Sequence, residues 1–500
     1  MIERNFKYRF YECLPAIVVT LIFLFLSIYS FVDPILAIYF IIIYDLLFLF
    51  RGVYTEINIV LSFRKLKQTL KINWFEKLKS DFGDSWGNVY HLIFLPTFKE
   101  PIEVIEESFD HLVNIKYDLK KVIVVLAGED AEGQAFLDKA DIIQKKYGDK
   151  FLKFVITVHS LEVGEIRGKG SNCASAGRKV KDIIDKEFSY IPYKNIIVSN
   201  FDIDTIAHEQ YFAHITYLHL KLPDPRKVSF QPLAVFNNNF WESSPTNRLT
   251  ARGSTFWLLY EFMRDQRIFT FSSHSMNFET LVNVGFWSSD AVSEDSRIGL
   301  QCINYYNGDY KVMPVYIPVS MDVVTGNNFF KSFINQYKQQ RRWAYGMENF
   351  PYMMTEWLKN KNMPFWTKFR YISKQFWNGI TWATASLVMF VFGYLPLMIV
   401  NNKTLGQSII VRNAPYILQT LMRIAMLGIV INAVLSALFW PRKKGKIKFY
   451  EYILVFVEWI IYPATSILLG AIPANEAYFR LLFGKYLGFW VTPKDRKQKV

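Results

Sequence analysis

Charge is scarce in this chain. Of its 500 residues 20% are Asp, Glu, Lys or Arg, while 51% are hydrophobic and 17% aromatic. Such a composition excludes an intrinsically disordered chain. A soluble domain carries about 25% charge, so the apolar excess must lie outside an ordinary core. Cysteine is also scarce. Cys13, Cys173 and Cys302 are odd in number and widely scattered, which excludes a disulfide scaffold and a metal knuckle and leaves free thiols in a reducing compartment. His208, His214 and His219 fall at i, i+6 and i+11. That spacing does not gather three ligands on one helix face, and no zinc site is expected. Acidic residues number 44 against 58 basic ones, a formal charge of +14.

The apolar residues come in blocks. Residues 14–32 and 35–50 carry a single charge, Asp45, and are separated by the turn Asp33-Pro34. Each is long enough to cross a bilayer, the second with Arg51 and Tyr54 at the interface. A cleaved signal peptide does not fit, because the first block is too long and no small-residue cleavage site follows. Further blocks lie at 376–400, 416–440 and 450–472. Basic residues orient them. Arg4, Lys7 and Arg9 precede the first span, and Arg51, Arg64, Lys65 and Lys67 follow the second. The region between the two groups is therefore expected in the cytoplasm. The 401–415 loop has only Lys403 and Arg412, so it reads as outside. Arg442, Lys443, Lys444, Lys446 and Lys448, and then Lys494, Arg496, Lys497 and Lys499, read as inside. Both flanks of 450–472 would then share one side. Glu451, Glu458, Pro463 and Pro473 also disfavour a plain span, so a re-entrant or interfacial element is expected there. The count is four crossings, with five as the competing number. Asp45 is costly in lipid, and a pairing with Arg423 is one way to accommodate it. The positive charge faces anionic membrane lipid on this reading, and nucleic acid is not expected as a partner.

About 320 residues of ordinary soluble composition lie between the membrane blocks, enough for one large domain. HLIFLP at 91–96, KVIVVLA at 121–127, FLKFVIT at 151–157 and NIIVS at 195–199 are short β-rich runs. Helical patterns at 102–112, 134–147 and 173–186 alternate with them. That alternation predicts βαβ units and a mostly parallel sheet covered on both faces. Ligands of such sheets bind at the carboxyl ends of the strands. Thr97 and Glu100, Glu129 and Asp130, and Asp202 and Asp204 stand at those ends.

Four motifs carry possible chemistry, each with a plainer alternative. Asp202 and Asp204 at i and i+2 can share a divalent cation with diphosphate oxygens; otherwise Asp204 caps a helix beginning near Thr205. Glu294-Asp295 opens a helical run and can supply a general base, or is simply an acidic first turn. In Gln339-Gln340-Arg341-Arg342-Trp343, Gln339, Arg342 and Trp343 share one helix face. There an arginine can neutralise a diphosphate and an indole can stack on a sugar; the alternative is a basic helix lying on headgroups, with Lys331, Lys338 and Trp357 beside it. Lys169, in RGKGSNCASAGR, sits in a glycine-flanked turn opening a helix, a geometry suited to phosphate.

In order, PTFKEP, LAGED, RGKGSN, SNFDIDT, VSEDSR and QQRRW resemble the membrane-integrated family 2 glycosyltransferases, relatives of cellulose, chitin and hyaluronan synthases. The resemblance spans nearly the whole chain, including FWVTPK near its end, and QxxRW is its most specific motif. It implies an α/β GT-A fold inserted between N-terminal and C-terminal transmembrane helices. Thr97, Glu100, Asp130, Lys169, Asp202 and Arg342 would bind donor and diphosphate, and Asp202 and Asp204 would hold Mg2+ or Mn2+. Asp295, with Glu294 beside it, would be catalytic as the base, and Gln339 and Trp343 would bind the acceptor. VTPK (Val491–Lys494) resembles a cytoplasmic gating loop. Four or so crossings are fewer than in cellulose synthases, and two motifs depart from the family. AGED replaces the usual run of aspartates, leaving Glu129 or Asp130 in the nucleotide role. SSHSMNFETL (272–281) has His274 and no glycine where small residues are common.

The expected organisation is a transmembrane hairpin at 1–54, a cytoplasmic GT-A domain at 55–328 and QxxRW and interfacial helices at 329–375. A C-terminal transmembrane region at 376–475 and a basic cytoplasmic tail at 476–500 follow. The expected function is that of an inverting, multi-pass cell-membrane hexosyltransferase. It would use a UDP-sugar or another nucleotide-sugar donor and extend a polysaccharide, with possible coupling to export. The alternative acceptor is a single lipid. A rival from another class is a membrane transporter with a nucleotide-sensing domain.

Overall fold

The computed structural model describes residues 4–400, 409–439, 441, 448–488 and 490. Lys403, Arg442, Lys443, Lys444, Lys446 and the VTPK tail with its basic residues lie outside the described residues.

At the centre is an eight-stranded mixed sheet in the order β3-β2-β1-β4-β7-β6-β8-β5. The strands are β1 (Tyr90–Pro96), β2 (Val122–Glu129), β3 (Lys153–His159), β4 (Ile196–Asn200), β5 (Ile206–Ala207), β6 (Val228–Phe236), β7 (His274–Asn277) and β8 (Lys311–Met321). The first four pair in parallel, as do β6 and β8, and β7 runs antiparallel between β4 and β6. This is the mostly parallel α/β arrangement of a GT-A fold. Every residue of β2 is buried. Its period-two alternation sends Val122, Val124 and Leu126 into one core, and Ile123, Val125 and Ala127 into the other. Helices Ile102–Leu112 and Gln134–Tyr147 cover the first face, and Lys169–Glu187 covers the second.

The parallel strands end on the same side, where the loops carrying polar residues converge. One expectation shifts here. No helix begins at Thr205; the chain enters the short strand β5 and turns helical only at Tyr211. Asp204 is therefore no N-cap.

Among the described residues four helices are long and apolar enough to cross a membrane: Phe6–Val32, Pro34–Leu70, Arg412–Ala437 and Phe449–Leu482. Asp33 begins the second, its carboxylate accepting the Leu36 N–H at 3.2 Å with Pro34 at the first position, where a missing N–H costs nothing. That helix continues unbroken past Arg51 to Leu70. The segment expected to re-enter is long enough to cross, although a 3-10 turn at Glu458–Ile461 and a π turn at Ile467–Ala471 interrupt it. The sharp bend falls in another block. Phe365–Phe390 and Phe392–Ile399 meet at 44° and make a fifth span if counted together. Pro396 lies just beyond the break, where its ring clashes with the carbonyl four residues back. Asp45 makes no pair with Arg423; its Oδ1 is buried without a hydrogen-bond partner among the described residues. Cys13, Cys173 and Cys302 are free.

Candidate active site

A cavity of about 150 Å³ opens at the carboxyl ends of β1, β2 and β4. Thr97, Glu100, Lys169, Asp202, Asp204, Glu294, Asp295, Gln339, Arg342 and Trp343 all line it. Residues separated by up to 246 positions in sequence thus face one space.

On the wall after β1, Thr97 Oγ1 donates to Glu100 Oε2 at 2.8 Å. At the end of β2 it is Glu129 that faces the cavity. Its Oε2 meets His159 Nδ1 at 3.0 Å, while Oε1 is buried with no hydrogen-bond partner among the described residues. His159 Nε2 in turn meets Glu165 Oε2 at 2.9 Å. Burial disfavours the charged imidazole, but the two carboxylates outweigh it and raise the His159 pKa above its usual value. Asp130 does not line the cavity. It begins the 3-10 turn after β2, about two-fifths exposed, with Arg167 at 3.8 Å. The strand runs two residues further than its apolar pattern implies, and this carries Asp130 past the inward position.

Lys169 opens the helix Lys169–Glu187 and is 9% exposed. Its Nζ donates to Asp202 Oδ1 at 2.7 Å. Burial alone would lower its pKa, yet the Asp202, Glu294 and Asp295 carboxylates raise it and keep the ammonium charged. The helix can approach this closely because residue 170 is glycine. A Cβ there would stand 2.5 Å from the Ser288 carbonyl oxygen and 2.9 Å from Glu294 Cβ, so the lysine and the acidic pair are packed together through a missing side chain.

Asp202 Oδ2 accepts a second bond, from Ser272 Oγ at 2.7 Å. Asp204 is 2% exposed and its Oδ2 accepts the Asp322 N–H at 2.9 Å. Asn238 Nδ2 bridges Asp204 O and Asp322 Oδ1 at 2.9 and 3.0 Å. Among the described residues no group of three or more His, Cys, Asp or Glu side chains is arranged to hold a metal. Two hard carboxylates on one wall fit a divalent cation that draws its remaining oxygens from a diphosphate.

Glu294 and Asp295 form the first turn of the helix Glu294–Tyr305. Asp295 reaches the cavity with Oδ2 on the Ser272 N–H at 2.9 Å and Oδ1 on the Ser296 N–H at 2.8 Å. Glu294 is 2% exposed. Burial first, and repulsion from Asp295 second, push its pKa up to about 8 against the pull of Lys169 and Arg342.

The helix Phe329–Ala344 supplies the remaining wall. Gln339, Arg342 and Trp343 face the cavity. Gln339 Oε1 accepts from Gln336 Nε2 at 3.0 Å, and the Trp343 ring lies 6.0 Å from Phe236 and 5.7 Å from Phe271. Arg341 turns away to Glu476 at 2.6 Å.

Sequence reasoning missed Ser272 and Asp322. Asp322 follows β8 as the other acids follow their strands, so extending the strand-end rule to that strand finds it. Ser272 lies in the segment that departs from the family pattern, and its role depends on backbone conformation.

Comparison with known proteins bears on the family of the chain. The model of the family "Glycosyl transferase family group 2" matches residues 197–469, more than half of the chain. No curated protein sequence matches. Among solved structures, the mannosyltransferase PcManGT from Pyrobaculum calidifontis, in complex with GDP-Man and Mn2+, is similar with a TM-score of 0.42 at 14% identity, over 86% of this chain and 100% of that one. TarS 1-349 of S. aureus, in complex with UDP-GlcNAc, is similar with a TM-score of 0.32 at 11% identity, over 68% of this chain and 91% of that one. By its family match, the chain belongs to glycosyl transferase family group 2 and is a glycosyltransferase.

Proposed function

We propose that the chain transfers a hexose from a nucleotide-diphosphate sugar, a UDP-sugar, to a glycan at the cytoplasmic face of a membrane, with inversion at the anomeric carbon. The observation that carries this reading is the convergence of Lys169, Asp202 and Asp204 with Asp295 and with Gln339, Arg342 and Trp343 around one cavity. Lys169 and Arg342 supply positive charge where a diphosphate leaves. Glu129, with one open buried oxygen, is an acceptor for an N–H of the base. Asp295 takes the proton of an acceptor hydroxyl. The freed oxygen forms a bond to the anomeric carbon as the carbon–oxygen bond to phosphate breaks and the diphosphate leaves with the electron pair. Gln339 and Trp343 hold the acceptor sugar, the indole as a stacking surface. Mg2+ or Mn2+ on Asp202 and Asp204 would add Lewis-acid neutralisation of the diphosphate.

Stepwise extension of a polysaccharide is the acceptor chemistry proposed, coupled to its export. Transfer of one sugar to a lipid is the second reading, favoured by the modest number of candidate spans, four or five among the described residues. The test is release of nucleoside diphosphate by the purified full chain with a panel of nucleotide sugars and Mg2+ or Mn2+. One donor should turn over, and D295N should lose about 10²–10⁴-fold. No turnover with any donor, or a fully active D295N, refutes the mechanism. Product length on a gel separates polymer from single transfer.

A further inference from the structure

Ser272 is 8% exposed and adopts φ +49, a left-handed conformation that costs a residue with a Cβ conformational energy. Glycine and asparagine occupy such positions most readily, so a serine held there calls for a physical reason. Its surroundings enforce it. Gln231, fully buried, accepts the Phe271 N–H at 2.7 Å and donates to Phe271 O and Ser273 O at 3.0 and 3.2 Å. Ser273 Oγ bonds Thr205 Oγ1 at 2.9 Å. Both neighbours of Ser272 are therefore pinned, and the strained residue has no freedom to relax.

In that conformation Ser272 faces both halves of the site. Its hydroxyl donates to Asp202 Oδ2 at 2.7 Å, and its N–H donates to Asp295 Oδ2 at 2.9 Å. Its carbonyl oxygen accepts from Lys169 Nζ at 3.5 Å and lies 3.2 Å from His274 Nδ1. Two like-charged carboxylates from different elements are thus separated by a single residue that donates to both. We infer that Ser272 is a positioning residue that sets the donor-side Asp202 and the proposed base Asp295 in one fixed relation. This rests on the transfer reading above. The hydroxyl acts through Asp202 on the donor; the N–H orients the carboxylate that takes the acceptor proton.

The test uses the full chain in detergent, with the nucleotide sugar that the parent turns over and its nucleoside diphosphate as binding probe. S272A and S272G both remove the hydroxyl, and glycine also relieves the left-handed cost. A hydrogen bond to a charged group predicts a rise of about tenfold to hundredfold in donor KM and in the diphosphate Kd for both variants. The thermal midpoint of S272G should stay near that of the parent. Adding S272A to D202N should weaken diphosphate binding less than threefold further, because the group it acts through has already lost its charge. An unchanged donor KM in both variants, or an equal cost of S272A with and without D202N, overturns the inference. If S272A does not fold, S272G and its double variant with D202N give the same reading. Parent turnover reports on the transfer function by itself, so failure there is distinguishable from failure of the role given to Ser272.

Discussion

Substituting Glu294 by glutamine separates the two acids that open the helix Glu294–Tyr305. Glu294 is 2% exposed, and its pKa is pushed up to about 8 by burial first and by Asp295 second. At pH 7 roughly nine in ten molecules would hold this proton, which makes Glu294 a poor base. Below about pH 4.5, folded and unfolded chains both hold it and the residue has no effect on stability. Between there and about pH 8 the folded chain retains a proton that the unfolded chain releases. Stability therefore falls as pH rises, by about 1.4 kcal/mol per unit, for a total on the order of several kcal/mol. Above pH 8 the folded group ionises as well and the loss stops growing. Glutamine keeps the shape and removes the titration. E294Q should match the parent in thermal midpoint near pH 5 and exceed it increasingly towards pH 8.5. At pH 7 its turnover should stay within about tenfold of the parent, whereas D295N loses about 10²–10⁴-fold. The assay is thermal unfolding of detergent-purified protein in steps from pH 5 to 9 at one scan rate. A gap between parent and variant that does not change with pH would refute the placement of this proton.

Trp343→Ala removes the indole held beside Phe236 and Phe271. It should raise the acceptor KM by about tenfold and leave nucleoside diphosphate Kd unchanged, with Trp343→Phe recovering part of the loss; an equal effect on the diphosphate would place the residue on the donor side. Arg248 and Glu458 pair at 3.1 Å with side chains 12% and 8% exposed, joining the helix Pro245–Phe262 to the segment Phe449–Leu482. Either R248M or E458Q alone should cost about 3–5 kcal/mol by leaving a buried charge unpaired, and the two together less than their sum; additive losses in a denaturation cycle would show that the pair is not coupled.

What was legible in the sequence follows from periodicity and from strand ends. The apolar runs at β1 to β4 and the helical patterns after them locate the sheet because a buried parallel strand is apolar on both faces. The strand-end rule then finds Thr97, Glu100, Asp202 and Asp204. It also names Glu129, which faces the cavity, but reaches one residue too far at Asp130, because the backbone pairing continues to Glu129 and a 3-10 turn begins at the next residue. The capping alternative for Asp204 failed for a similar reason. A local acid-before-helix signal cannot report the short pairing of β5 with β8, which delays the helix. The membrane blocks were legible in composition, but not which of them bends. Basic loops argue for a re-entrant or interfacial element at 450–472, whereas the bend beside Pro396 has no charge signal to announce it. Ser272 was not legible, because its contacts depend on a left-handed φ that no periodicity encodes.

The helix Phe329–Ala344 links the cavity to the membrane segments through the order of its side chains. Gln339, Arg342 and Trp343 occupy the cavity face. Tyr337 and Arg341, one turn apart on another face, both bond Glu476, at 2.8 and 2.6 Å. Glu476 belongs to Ile472–Leu482 and is also bonded by Arg480 at 2.8 Å. A single carboxylate thus collects two donors from the helix Phe329–Ala344 and one from its own helix. Because residues 337 and 341 are four apart, the restraint fixes the rotation of the helix as well as its distance from Glu476. A rotation that turned Arg342 and Trp343 out of the cavity would break both bonds together. The face that lines the cavity is therefore held from behind by the same apolar segment of the chain that is long enough to cross a membrane.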